Sequence, residues 1–322
     1  MTGLTGTPAF FVSLLTTACI FGVLALALNL QWGYTGLFNI SVAAFWGIGA
    51  YTATVITKPP GDELLFAMGL PFFSATVFGI PLPIPIAILA AGLVAGIVAA
   101  LISIPTLRLR DDYLAIATLG LAEIIRLVLL NESWLSGGAR GTSIDNPLIK
   151  FDFTNLILLS IAATLLVLTY VFLEKSVNSP WGRALRAVRM DDRAAMSLGK
   201  NAFSLKFQSM VIGSALMGMA GALIALRINY LVPDQFLPVW TFYIWIAVII
   251  GGSGNNRGAL LGAFILTALL ELPRFLADYI PQDFGGLIRN MRLLTIGIIL
   301  IIIVTYRPGG ILGERDFTSG TE

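Results

Sequence analysis

Residues 83–105 read PIPIAILAAGLVAGIVAALISIP, a run without a single charge and with Ser103 as its one hydroxyl. A bilayer hydrocarbon layer of ~30 Å takes ~20 apolar residues per helix, so this stretch fits a membrane span. Similar runs, bounded by Pro, Gly or charge, fall at 9–30, 34–57, 64–80, 113–130, 154–173, 205–226, 239–250, 258–271 and 287–305. Most match the length of a spanning helix; 239–250 and 258–271 are short, and GGSGNNRG joins them. The run 34–57 is broken in its first half by Gly36, Asn39, Ser41, Gly47 and Gly49.

The composition agrees. The chain is 57% hydrophobic and 12% charged, with a mean hydropathy of +0.87. A chain of 322 residues could otherwise make two or three soluble domains, but no water-soluble core absorbs this much apolar sequence. The expected fold is an all-α polytopic membrane protein with about 8–10 transmembrane helices, forming one transmembrane domain over 1–322. The alternating ten-residue strands of a transmembrane barrel are absent. Cys19 is the only cysteine and histidine is missing, which removes a disulfide framework, the commonest metal ligand and the commonest general acid/base. The first apolar run has no basic residue ahead of it, so it reads as a retained span rather than a cleaved signal.

Working outward, residues 174–206 read EKSVNSPWGRALRAVRMDDRAAMSLGKNAFSLK and hold ten of the 38 charged residues, seven of them Lys or Arg. The positive-inside rule places this loop in the cytoplasm. Arg108, Arg110, Arg257, Arg307 and Arg315 then also fall inside, giving ten segments with both termini cytoplasmic. Within the loop, Ser179-Pro180 reads as a helix start. Arg183, Arg186, Arg189 and Arg193, spaced three, three and four apart, share one helical face. Asp191 or Asp192 caps a second short helix, and Gly199 ends it. A loop that only fixed topology against lipid headgroups would need none of these devices, so the helix pair reads as a docking surface for a soluble partner.

WGRALRAVRMDDRAAMSLGKNAFSLK resembles the cytoplasmic coupling loop of ABC importer permeases, whose motif is Glu-Ala-Ala, three residues, then Gly. Here Arg193 stands at the Glu, followed by Ala194, Ala195 and Gly199. GYTGLFNISVAAFWGIGAYTA (33–53), RLRDDYLAIATLGLAEIIRLVL (108–129), GGARGTSI (137–144) and TYRPGGILG (305–313) resemble, in the same order, branched-chain amino acid permeases of LivM type. The resemblance implies a fold like the type II ABC importers, with coupling helices between the sixth and seventh spans. It implies a prokaryotic cytoplasmic membrane, a second permease subunit, two ABC ATPase subunits and an extracytoplasmic solute-binding protein. No cofactor is expected on this chain and ATP is expected on the partners: its one Gly-Lys, at 199–200, is followed by Asn, so a nucleotide-binding Gly-x-x-x-x-Gly-Lys-Ser/Thr loop is missing.

Glu123 and Arg126 stand one turn apart in the run 113–130 and are expected to pair within the membrane, where each bare charge costs about 2.5–3.5 kcal/mol. Gly36, Asn39 and Ser41 in the first glycine-rich break, and Asn255 and Asn256 in the second, are expected beside the substrate path, where free backbone groups of broken helices suit a zwitterion in transit. Close helix packing is the competing use of such glycines. Two alternatives stay open on sequence: a urea or short-amide permease of the same family, and a self-sufficient secondary transporter, for which Glu123 and Glu271 are the few available carboxylates. Enzymatic chemistry is not proposed by any residue pattern, nor is a metal site or a nucleic-acid partner.

Overall fold

The computed structural model describes residues 7–57, 76–77, 80–81, 83–144, 148, 153–277, 282–307 and 309–313. Helix α1 (Thr7–Leu28) runs into a π-helical turn at Asn29–Tyr34, and α2 (Val42–Thr57) follows. After α3 (Pro83–Thr106) and α4 (Asp111–Asn131) come the short α5 (Ser133–Ser136) and the long α6 (Thr154–Asn178). The charged loop folds as α7 (Pro180–Met190) and α8 (Asp192–Ser197). The chain continues through α9 (Ala202–Ile228), α10 (Val239–Gly251), α11 (Asn256–Ala277) and α12 (Gln282–Tyr306). Two small antiparallel pairs complete it: β1 (Thr76–Val77) with β2 (Ile80–Pro81), and β3 (Thr142–Ser143) with β4 (Tyr230–Leu231).

Among the described residues, six segments are long and apolar enough to cross a membrane, and Val42–Thr57 and Leu294–Tyr306 are shorter apolar helices. Two of the six form the centre. The apolar window of the Thr7–Tyr34 segment is 72% buried and that of α9 78%, against 28% for α4 and for α6. A helix apolar around its whole circumference is either a core helix or a lipid-facing one. Composition does not separate the two; neighbours do. Here glycine decides which helices meet. A Cβ on Gly49 of α2 would sit 2.0 Å from the Gly218 carbonyl of α9, and one on Gly221 would sit 2.1 Å from the Trp46 carbonyl. A Cβ on Gly262 would lie 1.9 Å from the Ala247 carbonyl, so α10 and α11 are in backbone contact too. These seams are the small-residue packing that holds membrane helices together where lipid is as apolar as the side chains.

Helices α1 and α9 run antiparallel. Thr35 bonds Ser209 at 2.7 Å near the start of α9, while Arg227 at its end donates to Ser13 at 2.8 Å. The residue-13 end of α1 therefore lies at the opposite end of the bundle from α7 and α8. The C-terminal segment lies at the α7–α8 end: Ile311 and Leu312 donate to the Ile250 and Gly251 carbonyls, and Asn255 donates to the Gly313 carbonyl at 3.2 Å. Residue 13 and residues 309–313 thus lie at opposite ends of the bundle, where the ten-span scheme had placed both termini on one side. The expected span at 64–80 lies mostly outside the described residues. Its described part is the β1–β2 pair instead of helix, where β-branched Thr76, Val77 and Ile80 suit a strand. Conversely, the short run at 258–271 belongs to α11, a helix of 22 residues that carries Arg257 and Glu271 within its length.

Candidate functional site

The α7–α8 segment is built as its sequence suggests, with local differences. Ser179 occupies the N-cap with Pro180 behind it, but its hydroxyl donates back to the Ser176 carbonyl and caps nothing. Asp191 is the working cap: its carboxylate accepts from the Arg193 and Ala194 amides at 2.8 and 3.1 Å. Gly199 takes φ +77 at the end of α8, and nothing lies within 4 Å of where its Cβ would be. Val188, Ala195 and Ala202, with Leu205, form a small apolar cluster that clamps α7 and α8 onto the start of α9. An ion pair between Lys206 and Asp192 closes the same corner.

The four arginines do not present a single face. Arg183 and Arg193 are exposed, and so is Ala194, whereas Ala195 is buried. Arg186 and Arg189 turn inward onto backbone carbonyls, Arg186 to Val177 at 3.3 Å and Arg189 to Gly33 at 2.6 Å. Spacings of three drift by about 60° per step around a helix, so a run of them winds across the surface. What α7 and α8 do expose is apolar: Met190 is 86%, Leu198 80% and Met196 53% accessible.

The first glycine-rich break ends against this loop. Gly36 adopts φ +78, and a Cβ there would lie 3.2–3.6 Å from Arg189. The polar residues of the break are not open to a passage in this chain. Asn39 and Ser41 are fully buried. The Asn39 amide donates to Gln31 at 2.8 Å, its side-chain oxygen accepts from the Ser41 amide at 2.8 Å, and its carbonyl accepts from the Trp245 indole at 3.1 Å. Gln31 in turn donates to the Met210 carbonyl at 3.0 Å and to Ser214 at 3.3 Å. Thr35 donates to the Leu30 carbonyl at 2.9 Å, inside the π-helical turn. Gln31, Thr35 and Ser209 carry this network and escaped the sequence reading, because lone uncharged polar residues at the edge of an apolar run give no pattern.

The second break joins the first. The Asn29 side chain accepts from the Gly254 amide at 2.9 Å and donates to Asn256 at 3.1 Å. Asn256 donates to the Glu174 carboxylate at 3.0 Å, and Asn255 caps the start of α11 by accepting from the Arg257 amide at 3.0 Å. All five break residues singled out from the sequence thus lie at the α7–α8 end of the bundle. Their side-chain amides and the Ser41 hydroxyl bond to protein.

Glu123 and Arg126 do pair. The Arg126 Nε donates to both carboxylate oxygens at 3.0 Å. Arg126 also binds Asp234 at 2.6 Å, a partner 108 residues away that no local spacing suggests. Arg126 is 13% accessible and Glu123 37%, so the group is half-buried. It lies in the second half of α4, beside the turn before α10.

The comparisons with known proteins come down on one family. The family model described as branched-chain amino acid transport system / permease component matches residues 10–304. The high-affinity branched-chain amino acid transport system permease protein LivM of Escherichia coli (strain K12) is 30% identical over 327 residues, covering 94% of this chain and 69% of the relative. The probable branched-chain amino acid transport permease protein LivM of Methanocaldococcus jannaschii is 28% identical over 323 residues, covering 92% and 91%. LivH of Salmonella typhimurium, a high-affinity branched-chain amino acid transport system permease protein, is 25% identical over 196 residues, covering 58% and 55%. No solved structure matches. A family match along nearly the whole bundle, on a chain whose apolar helices make it a multi-pass membrane protein, shows that it belongs to the branched-chain amino acid transport permease family, the membrane subunits of ABC importers.

Proposed function

We propose that this chain imports branched-chain amino acids as one of two permeases in an ATP-driven transporter, with a fold like the type II importers. A LivH-like chain supplies the other permease. Two ATPase subunits bind the nucleotide and dock on α7–α8, and a solute-binding protein delivers the amino acid at the opposite end. The positive-inside rule puts α7–α8 in the cytoplasm, so residue 13 faces the extracytoplasmic side.

One observation carries this reading. The α7–α8 pair exposes Met190, Met196 and Leu198 on the same segment as the exposed Arg183 and Arg193. Exposed apolar side chains on a charged segment are what a groove on a soluble protein would cover. The same pair holds the membrane core directly, through Arg189 on the Gly33 carbonyl. A push on α7 therefore has a rigid route to α1. The glycine-rich breaks then serve as the joints of that route, and any contact they make with solute requires a second conformation.

The test is uptake of labelled leucine into vesicles holding the chain with its ATPase and permease partners. ATP-dependent uptake is expected, and Leu198→Asp should abolish it together with ATPase retention. Gradient-driven uptake by the chain alone would favour a secondary transporter, and preference for urea or a short amide over leucine would reassign the substrate.

A further inference from the structure

A cleft of about 430 Å³ opens at the end of the bundle away from α7–α8, among α1, α2, α9, α10 and α11. That volume is within the usual range for small-ligand sites. Its lining combines aromatic and charged residues. Phe21, Trp46 and Phe236 are buried in its wall, each no more than 5% accessible. Arg227, Gln235 and Glu271 are half-buried and also line it. Arg227 is held by Ser13 at 2.8 Å. The Trp46 indole N–H is buried and has no hydrogen-bond partner, which is uncommon for a buried donor.

We infer that this cleft is a reception site for a single zwitterionic amino acid with an apolar side chain. The inference rests on the import reading above and places the solute on this chain. A free α-amino acid carries both charges at one end and its side chain at the other. Opposite charges at Arg227 and Glu271 complement the carboxylate and ammonium, and the aromatic wall covers the side chain. Trp240 also lines the cleft, and aromatic rings attract an ammonium. Half-buried charges hold such a ligand weakly, because water screens them. Weak holding is what a transit site needs, since a tight one would stall release.

A zwitterionic phospholipid headgroup has similar chemistry and is separated in the test. Saturation-transfer NMR on the full-length chain in phosphatidylcholine nanodiscs, with leucine as the probe, should show transfer to the leucine methyls. Leucinamide, which lacks the carboxylate, and 4-methylpentanoate, which lacks the ammonium, should each bind at least ~10-fold more weakly, about 1.4 kcal/mol. Glu271→Gln should remove the preference for leucine over 4-methylpentanoate, and Arg227→Gln the preference over leucinamide. Because the wild-type chain is compared on three ligands, a variant that fails to fold leaves the test intact. Equal binding of all three by wild type, or leucine binding unchanged in both variants, overturns the inference. So does transfer abolished when phosphatidylethanolamine is added to the discs, which would assign the cleft to lipid. Leucine uptake by the assembled transporter that persists without any binding here would leave the import reading standing and remove only this site.

Discussion

At the scale of single residues, the polar side chains inside this bundle act as fasteners. Gln31 connects the π-helical turn, α9 and the α1–α2 connection, through Met210, Ser214 and Asn39. Gln31→Leu keeps the volume but leaves the Asn39 amide and the Met210 carbonyl without this partner. Each unsatisfied buried group costs about 1–3 kcal/mol, so the variant should melt several degrees below wild type, while Ser214→Ala shifts little. A melting curve in detergent checks the order. Arg126 is the second case. It faces two carboxylates, Glu123 and Asp234. Arg126→Met leaves two neighbouring anions, whereas Glu123→Gln leaves Arg126 paired with Asp234. Arg126→Met should therefore lower the melting temperature more, by less than the ~3–5 kcal/mol of a fully buried pair, because Glu123 keeps 37% of its surface accessible. Equal losses would show that the Asp234 contact contributes nothing.

At the scale of elements, α7 and the π-helical turn at 29–34 form one mechanical unit. A π turn is a local distortion that costs backbone hydrogen-bond quality and recurs at functional positions. Here it presents the Gly33 carbonyl to Arg189 and lets Thr35 close back on Leu30. On the proposed assembly, Arg189→Ala should leave the chain in the membrane and bound to the ATPase, because the exposed Met190 and Leu198 remain. The amount of leucine moved per ATP hydrolysed should fall by ~10-fold or more, on the view that one lost charge-assisted bond is worth about 1.5–3 kcal/mol. Simultaneous measurement of ATPase rate and uptake decides it; loss of both in proportion would mean that Arg189 only docks the partner. The α10–α11 turn behaves similarly: Gly252 and Gly254 take φ +114 and +73, a geometry open to glycine at little strain.

At the scale of the whole molecule, the antiparallel α1 and α9 fix which end is which. On the proposed orientation, with α7–α8 in the cytoplasm, a cysteine at Ser13 in a Cys19→Ala background should react with an impermeant thiol reagent added outside intact cells. A cysteine at Lys200 should react only after the cells are opened. Labelling of both positions from one side would overturn the arrangement. The glycine seams predict a different failure. Gly221→Val would press its side chain into the Trp46 carbonyl of α2, so the folded yield should collapse. Gly120→Val in α4, where nothing lies within 4 Å, should be tolerated. Detergent-stable protein recovered from membranes is the measurement.

Much of this was legible without coordinates. Hydropathy and length alone dictate helices in a bilayer, because an uncharged run can satisfy its backbone there only by bonding within itself. The Asp191 cap, the Gly199 terminus and the Glu123–Arg126 pair were also readable, since each depends on residues within one or two turns. The tertiary structure decided the rest. Which apolar helices are central depended on backbone approaches such as Gly49 to Gly218, and hydropathy is blind to a partner 169 positions away. The asparagines of the two breaks looked alike in sequence whether they faced a solute or each other. Only the fold brings Asn29 to Asn256 across 227 residues and Arg189 to Gly33 across 156. A hydrogen bond requires its partners to within a few tenths of an ångström, and sequence spacing controls that only inside a single helix.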